Sequence, residues 1–122
     1  MVIGIGVDVV EIERFRRSLE RTPSMRDRLF TVGELAALAD RVDPVPGLAA
    51  RFAAREATMK SLGLGLGAFG FHDVWVRRLE GGAPELVVEG RALQLATAAG
   101  VGRWHLSLSH VDSVAVAYVV AE

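Results

Sequence analysis

Cysteine is missing from all 122 residues, which excludes a disulfide framework, thiolate catalysis and cysteine-ligated zinc or iron–sulfur centres. Charge of one sign is missing too. Fifteen acids against fourteen bases leave a net charge of −1, so the chain as a whole exerts no pull on nucleic acid or on a membrane surface. No apolar run approaches the about 20 residues of a membrane span, and no basic segment precedes an apolar stretch at the N-terminus, so a cytoplasmic location is expected. No repeat and no low-complexity tail is visible. Lysine is almost absent: Lys60 stands alone beside thirteen arginines. Where nearly every cation is an arginine, a lone lysine marks a position for a compact, rotatable ammonium rather than a planar guanidinium.

What is present is 51% hydrophobic residues in a length that fits one domain, 1–122, small enough for oligomerisation to help it. Val2 to Val10 is apolar and β-branched, and reads as a buried strand whose Gly4 and Gly6 admit another backbone or a ligand. From Glu11 to Arg21 the period changes to that of a helix, with Ile12, Phe15 and Leu19 inward and Arg14, Arg17 and Arg21 outward. Thr31 and Glu34 form a capping-box pattern opening a helix to about Arg41, and Asp43-Pro-Val-Pro-Gly47 breaks the chain.

A long helix is expected from Leu48 to Leu62. Its alanines at 49, 53 and 57 mark a flank for close packing, and Glu56 and Lys60 stand at the edge of its apolar face. A glycine-rich loop, Gly63 to Gly70, ends it. Strands at 73–79 and 85–88 read as a hairpin, 91–99 as a helix, and 104–109 and 114–121 as strands. The resulting expectation is an α+β fold, a mixed or antiparallel sheet of all these strands packed by the 48–62 helix. The nearly continuous apolar strand at the C-terminus predicts a subunit interface.

Polar residues in apolar settings carry the chemistry. Asp8 lies within an apolar strand, and is either a helix N-cap at the strand's end or a cation ligand. Glu56 is either half of an ordinary i, i+4 ion pair with Lys60 or a partner of Asp8. Taken jointly, two carboxylates, one lysine and a glycine loop fit a Mg²⁺–phosphate site, because Mg²⁺ commonly takes one or two carboxylates and completes its shell with water and phosphate oxygens. Gly4-Ile-Gly6 lacks the third glycine and the glycine-opened helix of a dinucleotide fingerprint. His110 closes the 104–110 stretch either as a turn residue or as a site residue, with no partner at zinc-ligand spacing. The ridge of Arg14, Arg17 and Arg21 suits an acidic partner helix, and without interleaved aromatics it does not point to nucleic acid.

Three segments together resemble one family. Gly6-Val-Asp8-Val-Val-Glu-Ile-Glu-Arg14-Phe, Arg51-Phe-Ala-Ala-Arg-Glu56-Ala-Thr-Met-Lys60-Ser-Leu-Gly63 and Ser107-Leu-Ser-His110 are similar, in order and spacing, to the holo-[acyl-carrier-protein] synthases, the short 4'-phosphopantetheinyl transferases. The resemblance implies transfer of the 4'-phosphopantetheine arm of coenzyme A to a serine of apo acyl carrier protein, from fatty acid or polyketide synthesis, with release of adenosine 3',5'-bisphosphate. It implies Asp8 and Glu56 as Mg²⁺ ligands, with Lys60 neutralising phosphate charge. Arg51 and His110 would lie at the 3'-phosphate, Gly63 and Gly65 would shape the coenzyme pocket, and Arg14, Arg17 and Arg21 would dock the carrier protein. Glu56 or a Mg²⁺-bound water would take the serine proton. It further implies a homotrimer with sites between subunits.

At position 55 the family usually has lysine, and arginine here is read as a site needing only a cation. The competing expectation is a non-catalytic trimeric module for a phosphorylated ligand or acidic protein, with Asp8 and Glu56 as mere cap and ion pair. A small kinase-like domain is disfavoured by length and by the lack of a Walker-type Gly-Lys-Ser/Thr.

Overall fold

A computed structural model describes all residues, Met1–Glu122. The elements run β1 (Gly4–Glu11), α1 (Ile12–Arg21), α2 (Met25–Leu29), α3 (Val32–Leu38), α4 (Val45–Ser61), a 3₁₀ turn (Phe71–Asp73), β2 (Val74–Arg78), β3 (Pro84–Val88), α5 (Gly90–Ala98), β4 (Trp104–His110) and β5 (Val114–Ala121). β5 is the middle strand of a three-stranded sheet ordered β1-β5-β4, and β2 and β3 form a separate two-stranded sheet. Every pairing is antiparallel. The hairpin therefore does not extend the main sheet, and no parallel pair makes the sheet mixed. β3 packs beside β4 without a ladder, leaving Leu86 and Leu106 along the seam.

α4 organises the rest. Gly4, Gly6, Asp8 and Val10 alternate onto the face of β1 that meets it, as strand geometry requires. A Cβ on Gly4 would sit 1.8 Å from the Ser61 carbonyl oxygen, and one on Gly6 1.9 Å from that of Ala57. These glycines are there because a helix backbone lies on them. The small side chains of Ala53 and Ala57, fully buried, make the matching surface on α4. The first half of α4 joins Ile12, Phe15, Leu29, Phe30 and Leu38 in one core; the second half joins Phe69, Val74, Val76, Leu86 and Val119 in another. Each large apolar side chain buried there contributes about 1.5–3 kcal/mol relative to exposure.

Several boundaries differ from expectation. α4 begins at Val45, three residues before Leu48, because Pro46 lies in its first turn, where a missing N–H costs nothing. Gly63, at φ +69°, ends it: Leu64 N–H bonds back to Met59 O at 2.9 Å and Gly63 N–H to Lys60 O at 3.0 Å, the Schellman pattern. The capping box at Thr31 and Glu34 is present as expected. α2 has only five residues and no side-chain cap, so its sequence carries no periodic signal. The inner face of β5 is buried, whereas Tyr118 on the other face is 43% exposed. Within one chain this nearly continuous apolar strand is thus fully covered on one face only. The helices include none long and apolar enough to cross a membrane.

Candidate active site

β1 carries Asp8 past the side of α4 that bears Glu56 and Lys60. The result is a cleft of about 310 Å³ bounded by Asp8, Glu56, Arg14 and Ser18, with Phe15 and Phe52 as part of its wall. Asp8 is in the middle of β1 and caps nothing; the residue preceding α1 is Glu11, which makes no side-chain cap bond. Lys60 turns to Asp8 rather than to Glu56: its Nζ donates to Asp8 Oδ1 at 3.0 Å and to Val7 O at 3.1 Å. Both structural readings of these carboxylates, as helix cap and as i, i+4 ion pair, are therefore corrected. The two acids were placed by sequence on separate elements, and the fold brings them to one cleft.

Their mutual influence is electrostatic. Glu56 is half-buried, and its carboxyl is held above the usual range first by burial and then by the charge of Asp8, with Lys60 opposing. A carboxylate pair with one ammonium, bonded to Asp8 alone, has surplus negative charge, and its hard oxygen donors suit Mg²⁺. No third acid or histidine joins them into an all-protein metal cage. A cation there has to complete its shell with oxygens from water or from a ligand, which is the habit of Mg²⁺ at phosphates.

Other predicted site residues lie elsewhere. Arg51 is 1% exposed; its Nη1 donates to Gly47 O at 3.3 Å, and its Nε has no partner. Burial pushes its guanidinium below the ordinary value, Glu34 opposes this, and Arg78, Arg41 and Arg55 add to it. His110 is exposed at the end of β4, opposite Ala115 of β5, which in turn pairs with Val10 of β1, so it stands two strands from the Asp8 strand. Gly63 and Gly65 are exposed just beyond α4. Arg14, Arg17 and Arg21 are exposed on α1, and Arg14 also borders the cleft, closer to the carboxylates than a remote docking ridge would be.

Arg55 corrects the reading that its position needs only a cation. Its side chain and that of Glu34 are both 0% exposed. Nη1 donates to Glu34 Oε2 at 3.0 Å, Nη2 donates to Oε1, and Nε donates to Phe71 O at 2.7 Å. The guanidinium also lies 5.2 Å from the centre of the Phe30 ring. Glu34 is further bonded by Thr31 N–H at 3.0 Å and Val76 N–H at 3.1 Å. The guanidinium fills that slot with a fork of donors, where a single ammonium would make fewer of these bonds. The sequence signal for Glu34 was its place in the capping box; nothing marked Arg55, 21 residues away, as its partner. The aromatic wall of the cleft carries no sequence signal of its own, because Phe15 reads as a core position.

A family profile described as the 4'-phosphopantetheinyl transferase superfamily matches residues 4–119. The chain belongs to that superfamily. Among its relatives in the 4'-phosphopantetheinyl transferase superfamily, a holo-[acyl-carrier-protein] synthase of Pseudarthrobacter chlorophenolicus is 50% identical over 122 residues, spanning 100% of this chain and 99% of that protein. The crystal structure of holo-[acyl-carrier-protein] synthase from Neisseria meningitidis superimposes with a TM-score of 0.90 at 33% identity, covering 100% of this chain and 99% of its own. A holo-(acyl-carrier-protein) synthase from Bacillus anthracis in complex with CoA (3',5'-ADP) gives 0.83 at 31% identity, covering 99% and 96%.

Proposed function

We propose that this chain, as one domain over 1–122, is a holo-[acyl-carrier-protein] synthase, transferring 4'-phosphopantetheine from coenzyme A to a serine of apo acyl carrier protein. The full-length likeness to such synthases supports the reaction. The observation that carries the site is Asp8 of β1 and Glu56 of α4 lining one cleft, with Lys60 on Asp8. The serine oxygen bonds to the phosphorus bearing the pantetheine arm, the bond from that phosphorus to the bridging oxygen breaks, and adenosine 3',5'-bisphosphate leaves. Such a reaction asks for positioning and charge neutralisation more than covalent work by the protein.

Asp8 and Glu56 hold Mg²⁺, which when bound neutralises charge on the pyrophosphate and its leaving group. Lys60 supplies a further cation beside them. Glu56 is the chain's own acceptor for the serine proton. Arg14, with Arg17 and Arg21, receives an acidic surface of the carrier protein. Gly63 and Gly65 border the coenzyme, and His110 serves its 3'-phosphate; Arg51, buried against Gly47 O, is not among the groups this chain offers to the ligand.

The outer sheet face, where Ile5, Val7 and Val9 are 57%, 48% and 58% exposed next to Val116, Tyr118 and Val120, supports a homotrimer with the site shared between subunits. An apolar sheet face of that kind marks an interface. The enzyme works in the cytoplasm.

The test is intact-mass analysis of apo acyl carrier protein incubated with this protein, coenzyme A and Mg²⁺. The expected result is a gain of one phosphopantetheine arm that disappears with EDTA. No gain with several carrier proteins overturns the transferase reading in favour of a binding module.

A further inference from the structure

The ammonium of Lys60 occupies the carboxylate to which a divalent cation would bind. It bonds Asp8 Oδ1 and the Val7 carbonyl, so it is anchored at two points rather than swinging free, although its side chain is 54% exposed. Asp8, by contrast, is only 14% exposed, so its oxygens have little water to fall back on. Glu56 has no such cation bonded to it and sits in the field of Asp8. Asp8 and Glu56 thus share the cleft with Glu11 and Arg14, and the one ammonium bonded to either of the facing acids is on Asp8.

We propose that Lys60 is a placeholder for the divalent cation, so that the cleft takes the metal tightly only together with a phosphate-bearing ligand. This rests on the reading of Asp8 and Glu56 as the metal ligands. In the ligand-free protein a divalent ion meets a like charge within bonding distance of Asp8, and it must either displace the ammonium or bind through Glu56 and the other oxygen of Asp8 against the repulsion of that charge. When a pyrophosphate arrives, its oxygens give the ammonium another anion to pair with, and they give the cation the ligands that two carboxylates cannot supply. The lysine then moves from suppressing the free metal site to neutralising the substrate, and metal and substrate enter as a linked pair. Lysine suits this exchange, since a point charge on a flexible stem can transfer between anions more readily than a planar guanidinium forked onto one.

The test is Mn²⁺ binding, by electron paramagnetic resonance of free Mn²⁺, to the parent, Lys60→Gln, Lys60→Arg and Asp8→Asn, each without and with coenzyme A. Without coenzyme A, Lys60→Gln should bind Mn²⁺ about tenfold more tightly than the parent, the size expected for a half-exposed charge at contact distance. Lys60→Arg, which keeps the charge, should stay weak, and Asp8→Asn should lose binding. With coenzyme A the parent should reach or pass Lys60→Gln. Equal binding by parent and Lys60→Gln without coenzyme A, alongside loss in Asp8→Asn, overturns the placeholder while leaving the metal site standing. No Mn²⁺ binding by any protein even with coenzyme A overturns the metal reading and the inference with it.

Discussion

Arg55 and Glu56 are neighbours on α4, yet they sit in opposite kinds of surroundings. On one side of the helix Arg55 is fully buried and every donor of its fork that reaches Glu34 or Phe71 is used. On the other, Glu56 is half-buried beside a second acid, with its carboxyl held above the usual range. A buried charge whose partners are complete belongs to the architecture; one that is crowded by like charge and open to a cleft is available for chemistry. One helix thus anchors itself with the first face and works with the second.

The comparison is most severely tested on the buried side. Arg55→Met or Glu34→Gln should cost about 3–5 kcal/mol of stability, because each leaves the other charge or its donors unpaired in the interior. Arg55→Lys, which a cation-only reading expects to be silent, should cost about 1–3 kcal/mol for the bonds one ammonium cannot make. Urea titrations measure both, and a parent-like midpoint for Arg55→Lys would break the contrast.

On the open side the prediction inverts. Lys60→Arg and Asp8→Asn should melt with the parent and lose turnover by about 100-fold or more, the size seen when one preorganised charge contact is removed. Initial rates of holo-carrier formation, with melting curves on the same samples, check this pair of outcomes.

Much of this was legible in sequence. Gly4 and Gly6 announced a close neighbour, Thr31 and Glu34 announced a cap, and Asp8, Glu56 and Lys60 stood out as polar residues in apolar settings. What was hidden depends on contacts distant in the chain. Glu34 shows its capping role locally, whereas its bond to Arg55 spans 21 residues and leaves no spacing signature. The start of α4 was misplaced because Pro44 and Pro46 read as a break, when the second of them suits a first helical turn. The hairpin reads as two good strands from pattern alone, and pattern does not say which edge, if any, they join.

Smaller effects sharpen the account. Gly6→Ala pushes a methyl into the Ala57 carbonyl and should destabilise by about 1–3 kcal/mol, displacing β1, and with it Asp8, from α4. Its turnover should fall together with its stability, unlike that of Asp8→Asn, and joint measurement of rate and melting temperature separates them. Smallest is the surface pair of Asp43 with Arg16, bonded at 2.9 and 2.7 Å. The bond to Arg16 holds the Asp43 carboxyl below its ordinary value. Because the folded value is depressed, its contribution is present at neutral pH and is lost as the pH falls below the ordinary carboxylate range through the folded value. Asp43→Asn should therefore shift the melting temperature by no more than about 2 °C at neutral pH and by still less in acid.

The most direct test of the division between the two faces is the rate at which apo acyl carrier protein gains one phosphopantetheine arm, followed by intact mass, with Glu56→Gln protein that has the parent's melting temperature. A fall in rate of about 100-fold or more with the fold unchanged is the predicted result. A parent-like rate from that protein would contradict the assignment of Glu56, and with it the reading of the open face of α4 as the working one.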